Sequence, residues 1–127
     1  MIDHLGLTVS DFNRSRAFYD AALKPLGMAI AMEVTAEQTG GHAHVGYGKG
    51  RPVFWVGGGG PVSGPMHVAF TAGSRAEVDA FYAAAMAAGG RDNGPPGLRP
   101  HYHPDYYGAF VLDPDGVNVE AVCHGPA

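Results

Sequence analysis

Two histidines stand at equivalent places in two similar stretches of this chain. His4 lies in IDHLGL (2–7) and His67 lies in PMHVAF (65–70), and both stretches alternate like short strands. A shift of 63 positions aligns the two histidines and, without a gap, aligns Phe18 with Phe81, Tyr19 with Tyr82, Ala21 with Ala84, Ala22 with Ala85, and Gly27 with Gly90. These matches indicate a duplication, with two similar units in one chain.

A carboxylate adds a third candidate to the two imidazoles. Glu120 lies within the apolar stretch VNVEAV (117–122), where burial of its charge is costly unless it is paired, hydrogen-bonded or bound to a cation. If the two units pack about a pseudo-twofold axis, His4, His67 and Glu120 converge. Two imidazoles and one carboxylate form a facial set that holds Fe(II), Mn, Co, Ni or Zn and leaves positions open for substrate or water.

Each of these residues also has an ordinary structural explanation. A histidine on a strand is often a satisfied core or rim residue, and a glutamate usually faces solvent. Under that reading the protein is a metal-free binding protein that sequesters a planar drug or metabolite. His4, His67 and Glu120 then serve as hydrogen-bonding groups, and aromatic side chains such as Trp55 and Tyr107 supply the affinity.

A dense polar and aromatic cluster precedes the seventh strand. His103 and Tyr107 are its candidates for a general acid or base, because a histidine titrates near neutral pH and either side chain can hold a proton beside a metal. His101 and Tyr106 are candidates for substrate binding. The alternative is a loop rim whose aromatic side chains pack on the sheet.

Two further side chains are candidates for substrate contacts. Trp55 offers a flat apolar wall for a planar substrate, or else packs in the core. Arg99 can pair with a substrate carboxylate or phosphate, or else lie on the surface. His42 and His44 project to one face of a strand, where they either bind a metal as a pair or, as is more usual for such a pair, face solvent.

The elements that must position these residues follow the order β-α-β-β-β in the first unit. Its strand, helix and three strands are predicted at 2–9, 13–26, 28–34, 42–47 and 53–56. The second unit is predicted to have a strand at 65–70, a helix at 74–89, a glycine- and proline-rich loop at 93–100, and strands at 107–112 and 117–122. We expect one domain with module one at 1–57, a glycine-rich linker at 58–64 and module two at 65–127.

Composition narrows the partners to small molecules. The formal net charge is −4 without a basic run, so nucleic acid and anionic membranes are poor partners. No apolar run approaches the ~20 residues of a membrane span, and the first residues lack the features of a signal peptide. The single cysteine, Cys123, excludes an internal disulfide and is typical of a reducing compartment, so we expect a cytoplasmic protein.

Three motifs resemble those of one family. IDHLGLTVSD (2–11) with SRAFY (15–19) is similar to the first strand and helix of the glyoxalase/bleomycin-resistance/dioxygenase superfamily, also called vicinal oxygen chelate proteins. MHVAF (66–70) resembles the first strand of its second module, and DPDGVNVE (113–120) resembles its closing signature. The resemblance implies an α+β fold in which two tandem βαβββ modules form curved mixed sheets around a central metal cleft.

The resemblance also implies the ligands. His4, His67 and Glu120 match three of the family's ligand positions, whereas the fourth falls near Phe54 or Trp55, and neither of these binds a metal. Such a three-ligand site is unlike that of glyoxalase I and is more similar to the sites of extradiol dioxygenases, fosfomycin-modifying transferases and methylmalonyl-CoA epimerase. The bleomycin-binding branch of the family lacks the metal set.

Two functions follow from these alternatives. The first is a metalloenzyme that binds a substrate oxygen on a divalent ion and is dioxygenase-like or lyase/isomerase-like. The second is the metal-free binding protein described above. A homodimer is expected in either case, and the flexible linker permits modules to pair within one chain or between two.

Overall fold

The first half of the chain forms a four-stranded mixed sheet. A computed structural model describes residues 2–61 and 64–126. The first sheet consists of β1 (Leu5–Thr8), β2 (Ala29–Val34), β3 (His44–Gly48) and β4 (Phe54–Gly57), arranged in the order β1-β4-β3-β2. β1 is parallel to β4, and the other neighbours are antiparallel. Helix α1 (Phe12–Leu23), a 3-10 turn at Lys24–Leu26 and a four-residue helix α2 (Ala36–Thr39) complete this half.

The second half repeats this architecture. β5 (His67–Thr71), helix α3 (Arg75–Ala87), β6 (Arg91–Leu98), β7 (Tyr107–Leu112) and β8 (Asn118–Cys123) form a sheet with the order β5-β8-β7-β6. β5 is parallel to β8, as β1 is to β4. The expected α+β fold with tandem βαβββ modules is therefore confirmed. No helix in the described ranges has the length and apolar character needed to cross a bilayer.

β6 corrects the expected loop at 93–100. Glycine and proline, which weaken strands, are frequent in its sequence, RDNGPPGL, and they favour a loop. The structure places it at the edge of the sheet, paired with β7 through two register shifts, after Asp92 and after Gly94. An edge strand tolerates proline because its outward N–H groups need no partner. The second module therefore has its full set of four strands.

Helix α1 also ends earlier than the predicted 13–26. It begins after Asp11, whose carboxylate accepts a hydrogen bond from the backbone N–H of Arg14 at 3.1 Å. After Leu23 the chain tightens into the 3-10 turn, where Pro25 lies near the start and Gly27 ends it with a φ of 78°. Proline suits the first turn of such a helix, and glycine suits the left-handed conformation at its end.

The two modules share one hydrophobic core. The buried Tyr19 hydroxyl of α1 donates to the Asp113 carboxylate in the turn before β8, at 2.6 Å. The rings of Phe54 and Phe70 meet edge-on with centroids 5.1 Å apart. The other faces of the edge strands β1 and β5 are exposed, so each sheet presents an open face. The predicted linker, 58–64, lies partly outside the described residues.

Candidate functional site

His67 and Glu120 meet on the open face of the second sheet. His67 begins β5, and Glu120 lies in the middle of the neighbouring strand β8. Nε2 of His67 is 3.0 Å from Oε1 of Glu120. Although His67 is exposed, Glu120 is only 2% exposed, so a nearly buried carboxylate faces an accessible imidazole.

The hydrogen bond made by Nδ1 of His67 determines whether Nε2 is a donor or an acceptor. Nδ1 lies 3.1 Å from the backbone oxygen of Asn118, and since a carbonyl only accepts, Nδ1 carries the hydrogen and donates it. In a neutral ring Nε2 is then a lone pair that faces the Glu120 carboxylate. Two acceptors at 3.0 Å require a proton or a metal ion between them. The pair is therefore a candidate binding site for one cation.

The distance between these atoms fits a metal ion. Ligand nitrogen and oxygen atoms lie about 2.1 Å from a divalent transition metal, so two of them at right angles are about 3.0 Å apart. The observed 3.0 Å matches this value and is also an ordinary hydrogen-bond length, so the distance is compatible with either a metal ion or a proton between the two atoms. The hydrogen bond from Nδ1 to the Asn118 carbonyl is the type that fixes the tautomer of a ligating histidine. Within one chain, two of the three predicted ligands thus fit a metal.

Tyr106 holds the other oxygen of Glu120. Its hydroxyl donates to Oε2 of Glu120, and its ring lines the adjoining cleft. Burial, together with this hydrogen bond, raises the pKa of Tyr106 well above the ordinary value of a tyrosine. The hydroxyl therefore stays protonated at neutral pH and orients the carboxylate. Tyr106 was predicted to bind substrate, and the structure makes it in addition a partner of Glu120.

The cleft beside this pair has a volume of about 520 Å³, a size that suits a small molecule. Its lining combines the cation-binding pair with aromatic and polar side chains: His67, Tyr102, His103, Tyr106, Phe110, Asn118 and Glu120. Sequence reasoning missed Phe110 as a site residue. It is the cross-strand partner of Glu120, so only the register of β7 against β8 identifies it.

His103 lines the cleft and contacts a second imidazole, that of His124. The backbone N–H of Asp105 donates to Nδ1 of His103, so Nε2 of a neutral His103 carries the hydrogen and donates to Nδ1 of His124 at 2.8 Å. His124 follows β8 directly, and no pattern in the sequence singled it out. The His101 ring packs at a tilt of 49° against the exposed Tyr102, with centroids 4.2 Å apart, and does not line the cleft.

The structure separates Tyr107 from this group. Side chains alternate along β7, and Phe110 shares the face of Glu120, so Tyr107 lies on the opposite face, toward α3. Its hydroxyl donates to the Asp79 carboxylate at 2.7 Å, and this hydrogen bond raises the pKa of Tyr107. The expectation that Tyr107 acts as a general acid or base beside the metal is therefore corrected. His103, its predicted partner, does line the cleft.

His4 and Trp55 belong to the first module and are not part of the His67–Glu120 pair. His4 is exposed, and its Nδ1 lies 2.7 Å from the Asp3 carboxylate. Trp55 lies on the open face of β4, with its indole against Gly46. Among the described residues, no three His, Cys, Asp or Glu side chains are grouped closely enough to hold a metal. The predicted set of His4, His67 and Glu120 is thus not assembled within one chain.

Comparison with protein families agrees with this architecture. The model of the Glyoxalase/Bleomycin resistance protein/Dioxygenase superfamily matches residues 1–121. The chain belongs to this superfamily. Its members include metal-dependent enzymes, such as glyoxalase I and the fosfomycin resistance protein FosX. No curated protein sequence matches the chain.

Solved structures of the superfamily share the fold. A glyoxalase/bleomycin resistance protein from Albidiferax ferrireducens is 29% identical, with a TM-score of 0.75 over 98% of this chain and 99% of that one. A FosX mutant from Listeria monocytogenes, solved with Mn(II) and a dihydroxypropylphosphonic acid, is 18% identical, with a TM-score of 0.69 over 96% and 90%. A glyoxalase I mutant from Zea mays is 19% identical, with a TM-score of 0.69 over 99% of this chain and 45% of that one.

Proposed function

We propose that this superfamily member is a metal-dependent enzyme that acts on a small molecule. The observation that carries the proposal is the 3.0 Å approach of two acceptor atoms, Nε2 of His67 and Oε1 of Glu120, beside a cleft of substrate size. The candidate ions are Fe(II), Mn, Co, Ni and Zn, all of which accept imidazole and carboxylate ligands. The reaction is dioxygenase-like or lyase/isomerase-like.

The residues of the second sheet then have distinct roles. A bound divalent ion supplies Lewis acidity toward a substrate oxygen, or a site for dioxygen. Glu120 and His67 would hold the ion, and Tyr106 keeps the carboxylate in the orientation that faces His67. His103 carries a hydrogen on Nε2 at the wall of the cleft, where it exchanges a proton with His124 and acts as general acid or base.

We propose that His4 of a second copy completes the site in a homodimer. Within the described residues, the outward positions of β1 and β5 are exposed, and His4 precedes β1 in register with its exposed residues Gly6 and Thr8. If the first sheet of one copy faces the second sheet of another, the partner's His4 and Trp55 close the cleft. His4 then acts as the third ligand, and Trp55 contacts a planar substrate.

A second candidate function is the metal-free binding of a planar compound. It is favoured by the same contact, because a protonated His67 forms a complete ion pair with Glu120 and requires no metal. In that case Trp55 and the aromatic residues of the cleft supply the affinity.

Metal binding separates the two functions. Protein purified without a histidine tag and stripped with a chelator is titrated with Co(II) and Mn(II), and binding is followed by calorimetry and by the visible absorption of cobalt. We expect one ion per chain in wild type. We expect binding weakened about 100-fold or more in His67→Ala, which removes a ligand, and in Glu120→Gln, which removes the negative charge of a ligand.

His42→Ala is the matched control. His42 is an exposed histidine beside Gly58 in the first module, so its removal leaves the ion affinity unchanged. If wild type binds Co(II), Mn(II), Fe(II), Ni(II) and Zn(II) no more tightly than His67→Ala does, the enzyme proposal falls and the binding protein stands.

A further inference from the structure

The Arg99 side chain is held by two backbone carbonyls at the edge of the second sheet. It follows β6 and folds back over that strand, where Nη1 donates to the carbonyl of Gly97 at 2.9 Å and Nη2 to the carbonyl of Pro95 at 2.7 Å. A Cβ atom at Gly94 would lie 3.1 Å from Nη2, and one at Gly97 would lie 3.2 Å from Nη1. Glycine at these two positions therefore makes room for the guanidinium.

The charge of this guanidinium has no opposite charge nearby. Both of its hydrogen-bond partners are neutral carbonyls, and none of the described carboxylates lies within 4.0 Å of it. Two of its five N–H groups are used, so three remain as donors. A guanidinium in a fixed position with free donors binds carboxylate and phosphate groups in a bidentate manner, and it loses little side-chain entropy when it does so.

Phe110 connects this cation to the His67–Glu120 pair. The central carbon of the guanidinium lies 5.4 Å from the centroid of the Phe110 ring, and the His67 ring stacks near the same ring at 6.2 Å. The strand order β5-β8-β7-β6 places Phe110 between His67 on β5 and Arg99 at the end of β6. The open face thus presents, in sequence across the sheet, a cation-binding pair, an aromatic ring and an uncompensated cation.

We propose that Arg99 is an anion-binding subsite beside the cleft, next to the lining residue Phe110, and that the substrate is a planar compound with a carboxylate or phosphonate group. The planar body contacts Phe110, and the anionic group binds Arg99. The oxygen that reacts lies at the other end, beside His67 and Glu120. The last step rests on the proposed function, whereas the anion subsite stands on Arg99 and Phe110 alone.

Three probes of similar shape test the subsite in metal-free protein: benzoate, phenylphosphonate and the neutral benzamide. Each is titrated into wild type, Arg99→Gln and Arg91→Gln, and the amide signals near Gly94 and Phe110 are followed by NMR. Arg91 is an exposed arginine at the other end of β6. Arg91→Gln therefore changes the net charge by the same amount as Arg99→Gln but leaves the subsite intact. We expect wild type and Arg91→Gln to bind one or both anions about tenfold more tightly than benzamide, as one charge-assisted hydrogen bond provides.

Arg99→Gln is expected to bind the three probes with equal affinity. The relative affinities for benzoate and phenylphosphonate identify which anion the subsite accepts. If Arg99 only anchors β6, Arg99→Gln lowers the free energy of unfolding but leaves the preference for anions intact, and the proposal is overturned. It is also overturned if wild type shows no saturable binding of either anion.

The outcome is independent of the metal proposal. Arg99→Gln is expected to bind Co(II) as wild type does, because Arg99 touches neither His67 nor Glu120. If wild type prefers anions but binds no metal, the anion subsite stands and the proposal of a metal-dependent enzyme falls. If wild type binds metal but shows no preference for anions, the enzyme proposal stands and the anion subsite falls.

Discussion

Trp55 occupies in the first sheet the position that Glu120 occupies in the second. Trp55 pairs with Gly6 across β4 and β1, and Glu120 pairs with Ala69 across β8 and β5. The shift that aligns the two histidines also aligns Ala69 with Gly6. Phe54, the other residue considered for this position, points into the core and is 2% exposed. The duplication is therefore intact in the backbone, but only one module supplies a carboxylate.

Restoring that carboxylate is expected to strengthen metal binding. In Trp55→Glu the new side chain lies on the open face beside the glycines at 6 and 46, where space is free once the indole is removed. If two sheets close over one ion, an added anionic ligand raises the affinity for Co(II) about tenfold or more. Competition with a chelator measures the change. Trp55→Gln is the matched control, and equal affinities in the two variants would contradict the shared site.

Removing the Tyr106 hydroxyl is expected to destabilise the protein. In Tyr106→Phe the buried carboxylate of Glu120 loses the donor to Oε2 while its burial remains. An unsatisfied buried acceptor costs about 1–3 kcal/mol of unfolding free energy. Urea unfolding measures the loss. Tyr102→Phe serves as control because Tyr102 is 58% exposed, and the idea fails if both variants lose the same amount.

The fold was more predictable from the sequence than the site. Alternation and capping residues identify most strands and both long helices, because burial of one face imposes the pattern. The sequence pattern did not predict β6, because an edge strand does not require alternation and tolerates proline.

At the site, strand alternation correctly indicated a special environment for Glu120. Phe110 and His124 could not be found, since they join the site through strand register and loop path, which local sequence does not encode. Tyr107 follows Tyr106 directly in sequence, but its side chain lies on the face of β7 that packs against helix α3.

The joint between the modules is expected to depend on Asp113. This carboxylate is 1% exposed and accepts hydrogen bonds from the Tyr19 hydroxyl and from the backbone N–H groups of Asp115 and Val117. Asp113→Ala leaves two buried donors and one partly buried donor without a partner, so we expect a loss of about 3 kcal/mol or more in unfolding free energy. Tyr19→Phe removes one of these bonds and should cost less. The double variant should lose less than the sum, because both substitutions break the same contact, and strict additivity would contradict this.

Stability is expected to fall at alkaline pH. Burial, followed by the hydrogen bond to Asp20, raises the pKa of Tyr47 above its ordinary value of 10.0, and burial does the same for Tyr19. A tyrosine whose pKa is raised in the folded state contributes free energy of unfolding that is fully present below pH 10. This contribution is lost as the pH rises above 10, because the tyrosine then ionises only in the unfolded chain. Each buried tyrosine therefore lowers the free energy of unfolding by about 1.4 kcal/mol per pH unit above pH 10.

Urea unfolding of wild type between pH 8 and pH 11 measures this slope. Tyr47→Phe has no hydroxyl to ionise, so its stability is expected to decline less steeply above pH 10. Parallel curves for the two proteins would show that Tyr47 does not contribute.

Complementation between two inactive variants tests whether the site is built across two chains. His4→Ala and His67→Ala are each expected to lose metal binding, because each homodimer has two sites that lack one imidazole. In a mixed dimer whose sites join the first sheet of one copy to the second sheet of the other, both substitutions fall in the same site. The other site retains an intact His4, His67 and Glu120.

Mixing the two variants after partial unfolding and refolding should therefore restore about one metal ion per two chains in the mixed dimers. Affinity tags that differ between the variants allow the mixed dimers to be isolated, and elemental analysis counts the ions after the tags are cleaved. Each variant refolded alone is the control and should stay empty. If every site were assembled within a single chain, each chain of the mixed dimer would lack one histidine and no binding would return. His4 is exposed and is not grouped with His67 and Glu120 in the described part of the same chain, which leads us to expect restoration.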